Sequence, residues 1–232
     1  MGKSILNYEG LLEMLDDELR EPKQFWEDFY ADRTKSIPFF KVKGPDENLA
    51  EYFSKGFSPK KVLELGAGPG RNSIYMAKQG CSVSALDLSS KAIEWAKERA
   101  DEEGVNLEFH CVSLFDFEFE PYSFDFIYDC GMFHHLAPHR RLTYLEIIKK
   151  ALRKEGYYGI VCFNTDGASD TPDWDVYKEK SLKGGIGYSE ERLKNIFKKD
   201  FDILEFRKMR KQKQEKDLFG EDFLWTSFMQ IK

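Results

Sequence analysis

The chain has 232 residues, 41% of them hydrophobic and 15% aromatic, and its formal net charge is −6. These values are typical of one globular unit with a sizeable core. The acidic balance argues against a nucleic-acid partner, and no apolar stretch approaches the roughly 20 residues that a membrane helix needs. The first residues lack the apolar core of a secretory signal, so we expect a cytoplasmic protein that works without a membrane.

The N-terminal quarter of the chain is predicted to be helical. Apolar residues recur at helical spacing between Ile5 and Leu19, and residues 25–33 predict a second short helix. We expect residues 1–56 to form a helical cap over the active site of a domain that spans residues 57–232. The two parts together are expected to form a single globular unit.

From about residue 60 onward, predicted strands and helices alternate. The predicted strands are 61–65, 81–87, 105–112, 124–129, 157–163, 201–209 and 223–231, with helices between most of them. This alternation predicts a doubly wound α/β fold with a mostly parallel sheet covered by helices on both faces. A short connection between the last two strands would pair them antiparallel.

A glycine-rich turn follows the first predicted strand in the sequence VLELGAGPGR, residues 62–71. Ligands of open α/β sheets lie beyond the carboxyl ends of the strands, and glycines there let a ligand approach the backbone closely. A dinucleotide-binding turn has the spacing G-x-G-x-x-G, whereas this turn has G-x-G-x-G. Glu64 just before the turn would repel a pyrophosphate and attract a cation, such as an ammonium group. The alternative is a turn that merely connects the strand to the helix.

Asp87 ends the second predicted strand, 17 residues after Gly70. An acid at this position is well placed to accept hydrogen bonds from both hydroxyls of a ribose. A ligand that carries an ammonium group and a ribose but no phosphate is S-adenosylmethionine. The alternative is that Asp87 is a surface acid preceding a helix.

Three segments, VLELGAGPGR, SALDLS and FDFIYDCGMFHHL, together resemble the class I S-adenosylmethionine-dependent methyltransferases over about residues 57–200. The resemblance implies a seven-stranded, Rossmann-like sheet whose last strand runs antiparallel. The Asp-Cys-Gly trio at 129–131 also resembles thiopurine-methyltransferase-like and tellurite-resistance-like enzymes. The resemblance, with the residues around it, implies the following cofactor contacts: Glu64, Gly66, Ala67, Gly68, Gly70, Asp87, Leu88, Ser113, Leu114 and Asp129. Family members often carry Gly-Asp-Ala where this chain has Val-Ser-Leu at 112–114.

Three histidines, at positions 134, 135 and 139, lie within six residues of each other after the fourth predicted strand. They could bind zinc, but no carboxylate stands at a fitting helical spacing to orient them, so no metal is predicted. His134 or His135 is a candidate general base, because histidine titrates near neutral pH. The alternative is that the pair packs and anchors the loop.

Two aromatic segments are expected to close the pocket for the methyl acceptor. One is the N-terminal segment with Trp26 and Tyr30, and the other is the long stretch 164–189 with Trp174 and Tyr188. A stretch of that length with little periodicity is typical of a functional loop. Aromatic faces also favour the positive charge of a sulfonium, although core packing is the alternative for each ring.

The sequence therefore predicts in-line transfer of a methyl group from S-adenosylmethionine to a small-molecule acceptor, mainly by proximity and orientation. A general base is needed only for a hydroxyl or a protonated amine, and the acceptor stays open. We expect a monomer or a homodimer. The alternatives are a protein that binds S-adenosylmethionine or S-adenosylhomocysteine without turnover and a nicotinamide-dependent (NAD) dehydrogenase.

Overall fold

A computed structural model describes residues 4–213 and 217–232. The strands are β1 (Lys61–Leu65), β2 (Ser82–Asp87), β3 (Glu108–Cys111), β4 (Phe124–Cys130), β5 (Leu152–Phe163), β6 (Phe201–Lys208) and β7 (Leu224–Ile231). The helices are α1 (Tyr8–Asp17), α2 (Pro22–Ala31), α3 (Pro38–Lys41), α4 (Glu47–Ser54), α5 (Arg71–Lys78), α6 (Ser90–Glu102), α7 (Arg140–Ala151), α8 (Asp173–Lys178) and α9 (Glu190–Phe197). A short 3-10 helix covers Phe133–His135.

The seven strands form one sheet in the order β3-β2-β1-β4-β5-β7-β6. The first five strands in this order pair in parallel, and β7 runs antiparallel to both β5 and β6. The predicted class, a mostly parallel α/β sheet with an antiparallel last strand, is confirmed. The connection between β6 and β7 is longer than expected and runs from residue 209 to residue 223. Residues 207–216 include six lysines and arginines, and residues 214–216 of this run lie outside the described residues.

Most boundaries follow local sequence signals. Gly80 and Gly104 have positive φ angles just after α5 and α6, where a left-handed residue ends a helix. Strand β3 is shorter than predicted, and β5 begins five residues earlier because Leu152 pairs with Phe124. A register shift after that pair accommodates Glu155, whose φ is 61°. The long segment 164–189 contains the unpredicted helix α8.

The core lies on both faces of the sheet. One face buries Leu63, Ile127 and residues of α7 and α9, and the other buries Val62 and Phe126 with α4 and α5. Helix α4 contributes Leu49 to this second face, so the N-terminal quarter shares the core of the sheet. A third, smaller cluster joins the segment with α2 and α3 to α6. Among the described residues, no helix is both long and apolar enough to cross a membrane.

Candidate active site

The glycine turn lies between the end of β1 and the start of α5. Its three glycines, Gly66, Gly68 and Gly70, have φ angles between 53° and 77°, a region that strains residues with a Cβ. The N–H of Ala67 donates to the carbonyl oxygen of Leu86 at 2.8 Å, which ties the turn to β2. The turn is therefore fixed at the carboxyl edge of the parallel strands, where the sequence predicted a ligand.

Two other segments lie directly on this turn. A Cβ built on Gly68 would stand 2.8 Å from the hydroxyl of Tyr30 in α2, and one built on Gly66 would stand 3.0 Å from the Cβ of Met132. Met132 belongs to residues 131–136, which we call the β4 loop. The structure thus brings together the glycine turn, the aromatic N-terminal segment and the histidine-containing loop.

Glu64 is a buried acid next to the turn and is 2% exposed. Its carboxylate accepts a hydrogen bond from the hydroxyl of Ser73 in α5. Burial raises its pKa to about 8, although that hydrogen bond and the charge of Arg71 oppose the shift. Among the residues that the structure describes, no cation forms a salt bridge with Glu64, because Arg71 pairs with Asp46 at 2.5 Å. A ligand's ammonium group would supply the missing charge.

Asp87 ends β2 with its carboxylate turned toward the glycine turn. One oxygen accepts the N–H of Gly68 at 2.8 Å, and the other accepts the N–H of Ser89 at 2.9 Å. Burial raises the pKa of Asp87 to about 6, against the lowering effect of these backbone donors. Each carboxylate oxygen has a second lone pair, so Asp87 can still accept from the hydroxyls of a ribose. Leu88 follows it and is half-buried.

Glu27 connects α2 to the site through a contact that no local sequence signal indicated. Its carboxylate accepts the N–H of Ser90 at 2.8 Å and the hydroxyl of Ser89 at 3.1 Å, at the start of α6. A carboxylate at a helix N-terminus satisfies free N–H groups and complements the helix dipole. Tyr30, one turn further along α2, is thereby held over Gly68.

A buried polar network on the α5 side of the sheet also went unpredicted. Asp46 precedes α4 and is fully buried, paired with Arg71 at 2.5 Å. It also accepts a hydrogen bond from the hydroxyl of Tyr128 at 2.6 Å and one from the side-chain amide of Asn72 at 3.2 Å. The network connects the N-terminal quarter to the first turn of α5, and therefore to the glycine turn.

The two predicted candidate bases have surroundings that favour anchoring. His134 accepts the N–H of Phe163 through Nδ1 at 3.2 Å, and the two rings lie 3.8 Å apart between centroids. Burial lowers its pKa well below the ordinary value. Burial, with the charge of Arg20, also lowers the pKa of His135 to about 4. The ring of His135 packs edge-on against Trp26 at 4.8 Å, so this histidine joins the β4 loop to α2.

Asp129 is in the β4 segment but has partners within the protein. It accepts the N–H groups of Met132 at 2.8 Å and Phe133 at 3.2 Å, and the hydroxyl of Tyr144 at 2.5 Å. Tyr144 lies on α7, on the face of the sheet opposite α5 and Glu64. A direct contact between Asp129 and a cofactor stays a prediction, and the structure shows a different use of this carboxylate.

Ser113 and Leu114 follow β3 beside Asp87, since the N–H of Val112 donates to the carbonyl oxygen of Asp87 at 3.0 Å. The hydroxyl of Ser113 accepts the N–H of Phe115 at 3.2 Å, and the side chain of Leu114 is buried in the core. Any contact with an adenine would therefore come from the remaining lone pair of Ser113 or from the backbone.

The expected pocket aromatics divide into two groups. Trp26 and Tyr30 lie at the site, against the β4 loop and the glycine turn. The side chain of Trp174 is 80% exposed on α8, so a role for it in the acceptor pocket stays a prediction. Tyr188 is fully buried and packs against Phe133 at 5.3 Å, so it supports the β4 loop from within the core.

Comparison with known proteins gives matches of two kinds. The family model of a methyltransferase domain matches residues 62–156. A probable S-adenosyl-L-methionine-dependent methyltransferase, TehB of Haemophilus influenzae, is 30% identical over 156 residues, which are 66% of this chain and 50% of the relative. The chain spans about half the length of the curated relatives it matches.

Solved structures extend the likeness over most of the chain. A chain from a study of the conversion of a disulfide bond into a thioacetal group during echinomycin biosynthesis superposes with a TM-score of 0.70. It is 18% identical and covers 91% of this chain and 93% of its own length. The N-methyltransferase NodS of Bradyrhizobium japonicum, in complex with S-adenosyl-L-homocysteine, has a TM-score of 0.65 and 15% identity, over 91% and 99% of the two chains. At such identities these two structures support the fold alone.

Proposed function

We propose that this chain transfers a methyl group from S-adenosylmethionine to a small-molecule acceptor. The match of residues 62–156 to a methyltransferase-domain family model and the similarity to TehB support this proposal. One observation carries this proposal: two buried acids, Glu64 and Asp87, flank a glycine turn whose three glycines have positive φ angles and no side chain to keep a ligand from the backbone. Glu64 would receive the ammonium group of the cofactor, and Asp87 would receive the ribose hydroxyls.

The residues present fit such a cofactor chemically. The carboxylate of Glu64 has a single hydroxyl donor and no ion-pair partner among the described residues, so a cation offsets its burial. The hydroxyl end of Tyr30 lies on Gly68, and the ring of Trp26 lies beside that of Tyr30. We propose that these aromatic side chains border the bound cofactor, where an aromatic face would favour the sulfonium charge. We propose that residues 1–56 act as a cap, with α2 excluding water from the reacting atoms.

When bound, the cofactor supplies a methyl group that its sulfonium has already activated. The task of the protein is then to hold the acceptor in line, an effect that can lower a barrier by several kcal/mol. The pKa of His135, at about 4, makes this side chain a weak base at neutral pH. Nδ1 of His134 already accepts the N–H of Phe163. We therefore expect a nucleophile that needs little deprotonation, such as a thiol or a chalcogen anion.

Two other functions share the glycine turn. A binding protein without turnover would hold the same cofactor, and an NAD-dependent dehydrogenase would hold a dinucleotide. The buried Glu64 disfavours a dinucleotide, because a pyrophosphate beside it would gain no positive partner and would oppose ionisation of the carboxyl group.

The test has a binding arm and a transfer arm. We expect thermal stabilisation by S-adenosylhomocysteine and none by NAD, and the opposite pattern would support a dehydrogenase. S-adenosylmethionine labelled in its methyl group is then offered with thiol, hydroxyl, amine and chalcogen acceptors, using Asp87→Ala as the matched control for contaminating activity. Transfer that is lost in the variant supports the proposal, whereas binding with no transfer to any class supports the binding protein.

A further inference from the structure

The β4 loop contacts the glycine turn, α2 and the segment after α8. Met132 lies on Gly66, and His135 packs against Trp26 of α2. The backbone carbonyl of His134 accepts the N–H of Ile186 at 2.8 Å, which joins the loop to the segment after α8. The position of this loop therefore sets how the glycine turn and the N-terminal cap face each other.

Asp129 is the residue that fixes the start of the loop. Its carboxylate is fully buried and accepts the N–H groups of Met132 and Phe133, two donors that would otherwise lack a partner in a tight turn. The hydroxyl of Tyr144 donates to the second oxygen at 2.5 Å. Since that hydroxyl has one proton, the hydroxyl of Tyr158, 2.7 Å away, donates to Tyr144 in turn.

We infer that Asp129 is a positioning residue: its carboxylate, held by Tyr144 of α7, fixes the β4 loop on the glycine turn instead of contacting the cofactor. This inference rests on the proposed function for the identity of the bound molecule. It assigns a role to Tyr144, which lies outside the glycine turn and the N-terminal cap. A loop held in advance costs less to order when the ligand binds.

The charge of Asp129 is sensitive to its surroundings. Burial raises its pKa to about 7, and the donors Tyr144, Phe133, Met132 and Gly131 oppose the shift. The titratable side chains that face it are Tyr144 of α7 and Tyr158 and Cys162 of β5. Removing the hydroxyl of Tyr144 takes away a lowering influence, so the pKa of Asp129 rises and its negative charge is lost at a higher pH.

Hydrogen exchange on the ligand-free protein tests this inference directly. In Tyr144→Phe we expect the amides of a peptide covering residues 130–136 to exchange faster than in the unmodified protein. A peptide covering β1 is the internal reference and should exchange at the same rate in both proteins. Tyr158→Phe is the matched control, because it removes a buried hydroxyl from the same pair without touching Asp129, and its exchange should resemble that of the unmodified protein.

Binding of S-adenosylhomocysteine provides the second measurement. We expect Tyr144→Phe to weaken it about threefold to tenfold, in line with one lost hydrogen bond, and Tyr158→Phe to change it less than twofold. Asp129→Asn keeps an oxygen that can accept the loop N–H groups, so it should retain most loop protection, whereas Asp129→Ala should lose it. If Asp129→Ala does not fold, the two tyrosine variants decide.

The inference is overturned if loop exchange in Tyr144→Phe equals that of the unmodified protein. It is also overturned if Asp129→Asn loses binding about tenfold with the loop still protected, which is the result for a direct cofactor contact. Failure of the unmodified protein to bind S-adenosylhomocysteine would refute the proposed function instead. The exchange measurement would still test Asp129, because it is made without ligand.

Discussion

The substitution Glu64→Gln should remove a pH dependence from cofactor binding. With a pKa of about 8 in the ligand-free protein, Glu64 is mostly protonated at neutral pH. About one molecule in ten would carry the charge at pH 7 and about one in a hundred at pH 6. If only the ionised form receives the ammonium group, the apparent Kd is the intrinsic value divided by that fraction. Affinity should therefore weaken about tenfold from pH 7 to pH 6.

Isothermal titration with S-adenosylhomocysteine measures this change, and pH 6–7 keeps the ammonium group of the ligand protonated. Buffers with different ionisation enthalpies should also show the release of nearly one proton per binding event at pH 7. Glu64→Gln should bind more weakly at pH 7 and lose most of the pH dependence, leaving a small part from Asp87, whose pKa is about 6. An analogue of the ligand without its amino group is the matched control and should show no tenfold change.

Two results would refute this reasoning. One is a Kd of the unmodified protein that changes less than twofold between pH 6 and pH 7. The other is a full tenfold change that persists in Glu64→Gln, which would place the titrating group elsewhere.

Three further substitutions test the remaining contacts of the site. Asp87→Asn should weaken the binding of S-adenosylhomocysteine by at least about tenfold in the same titration, because a charged acceptor for the hydroxyl groups is lost. Equal affinity of the variant and the unmodified protein would show that Asp87 does not bind the ribose. Glu27→Gln should increase the dissociation rate of that ligand about threefold or more in a stopped-flow chase, because α2 is held less firmly on α6. The control Glu94→Gln, on the exposed side of α6, should leave the dissociation rate unchanged. Asp46→Asn should lower the free energy of unfolding, measured in urea, by about 3–5 kcal/mol, because Arg71 stays buried without its ion-pair partner. The double variant that also carries Arg71→Met should regain much of this stability. A loss under about 1 kcal/mol in Asp46→Asn would contradict the importance of the buried pair.

Much of the fold could be predicted because its signals are local. Ser89 caps α6 by accepting the N–H of Ala92 at 3.2 Å, a role that serine favours at the residue before a helix. Gly80 and Gly104 end helices for a reason that depends only on their own backbone angles. Glu64 and Asp87 were recognisable because an acid at the end of an apolar strand is unusual and costs free energy unless it has a partner.

The contacts that hold the site together had no such signal. Glu27 and Ser90, which are hydrogen-bonded, lie 63 residues apart in the sequence, and the hydrogen-bonded pair Asp46 and Asn72 lies 26 residues apart. Only the folded topology brings the members of each pair together. The link from Asp129 to Tyr144 depends on which face of α7 packs on β4, and the spacing of residues did not reveal that face. Trp174 shows the converse, because an aromatic in a long loop could be a pocket wall or a surface residue, and only the structure distinguishes them.

Three acids at the carboxyl ends of β1, β2 and β4 carry raised pKa values, about 8 for Glu64, 6 for Asp87 and 7 for Asp129. An acid with a pKa raised by folding contributes stability below its unfolded pKa and loses that contribution as the pH rises through the folded value. The ligand-free protein therefore holds an electrostatic cost that grows from about pH 4, where these acids ionise in the unfolded chain, to about pH 8. A ligand with an ammonium group and ribose hydroxyls can offset the cost at Glu64 and Asp87, which face the glycine turn. It cannot do so at Asp129, whose donors are internal, and this difference separates a binding acid from a positioning acid.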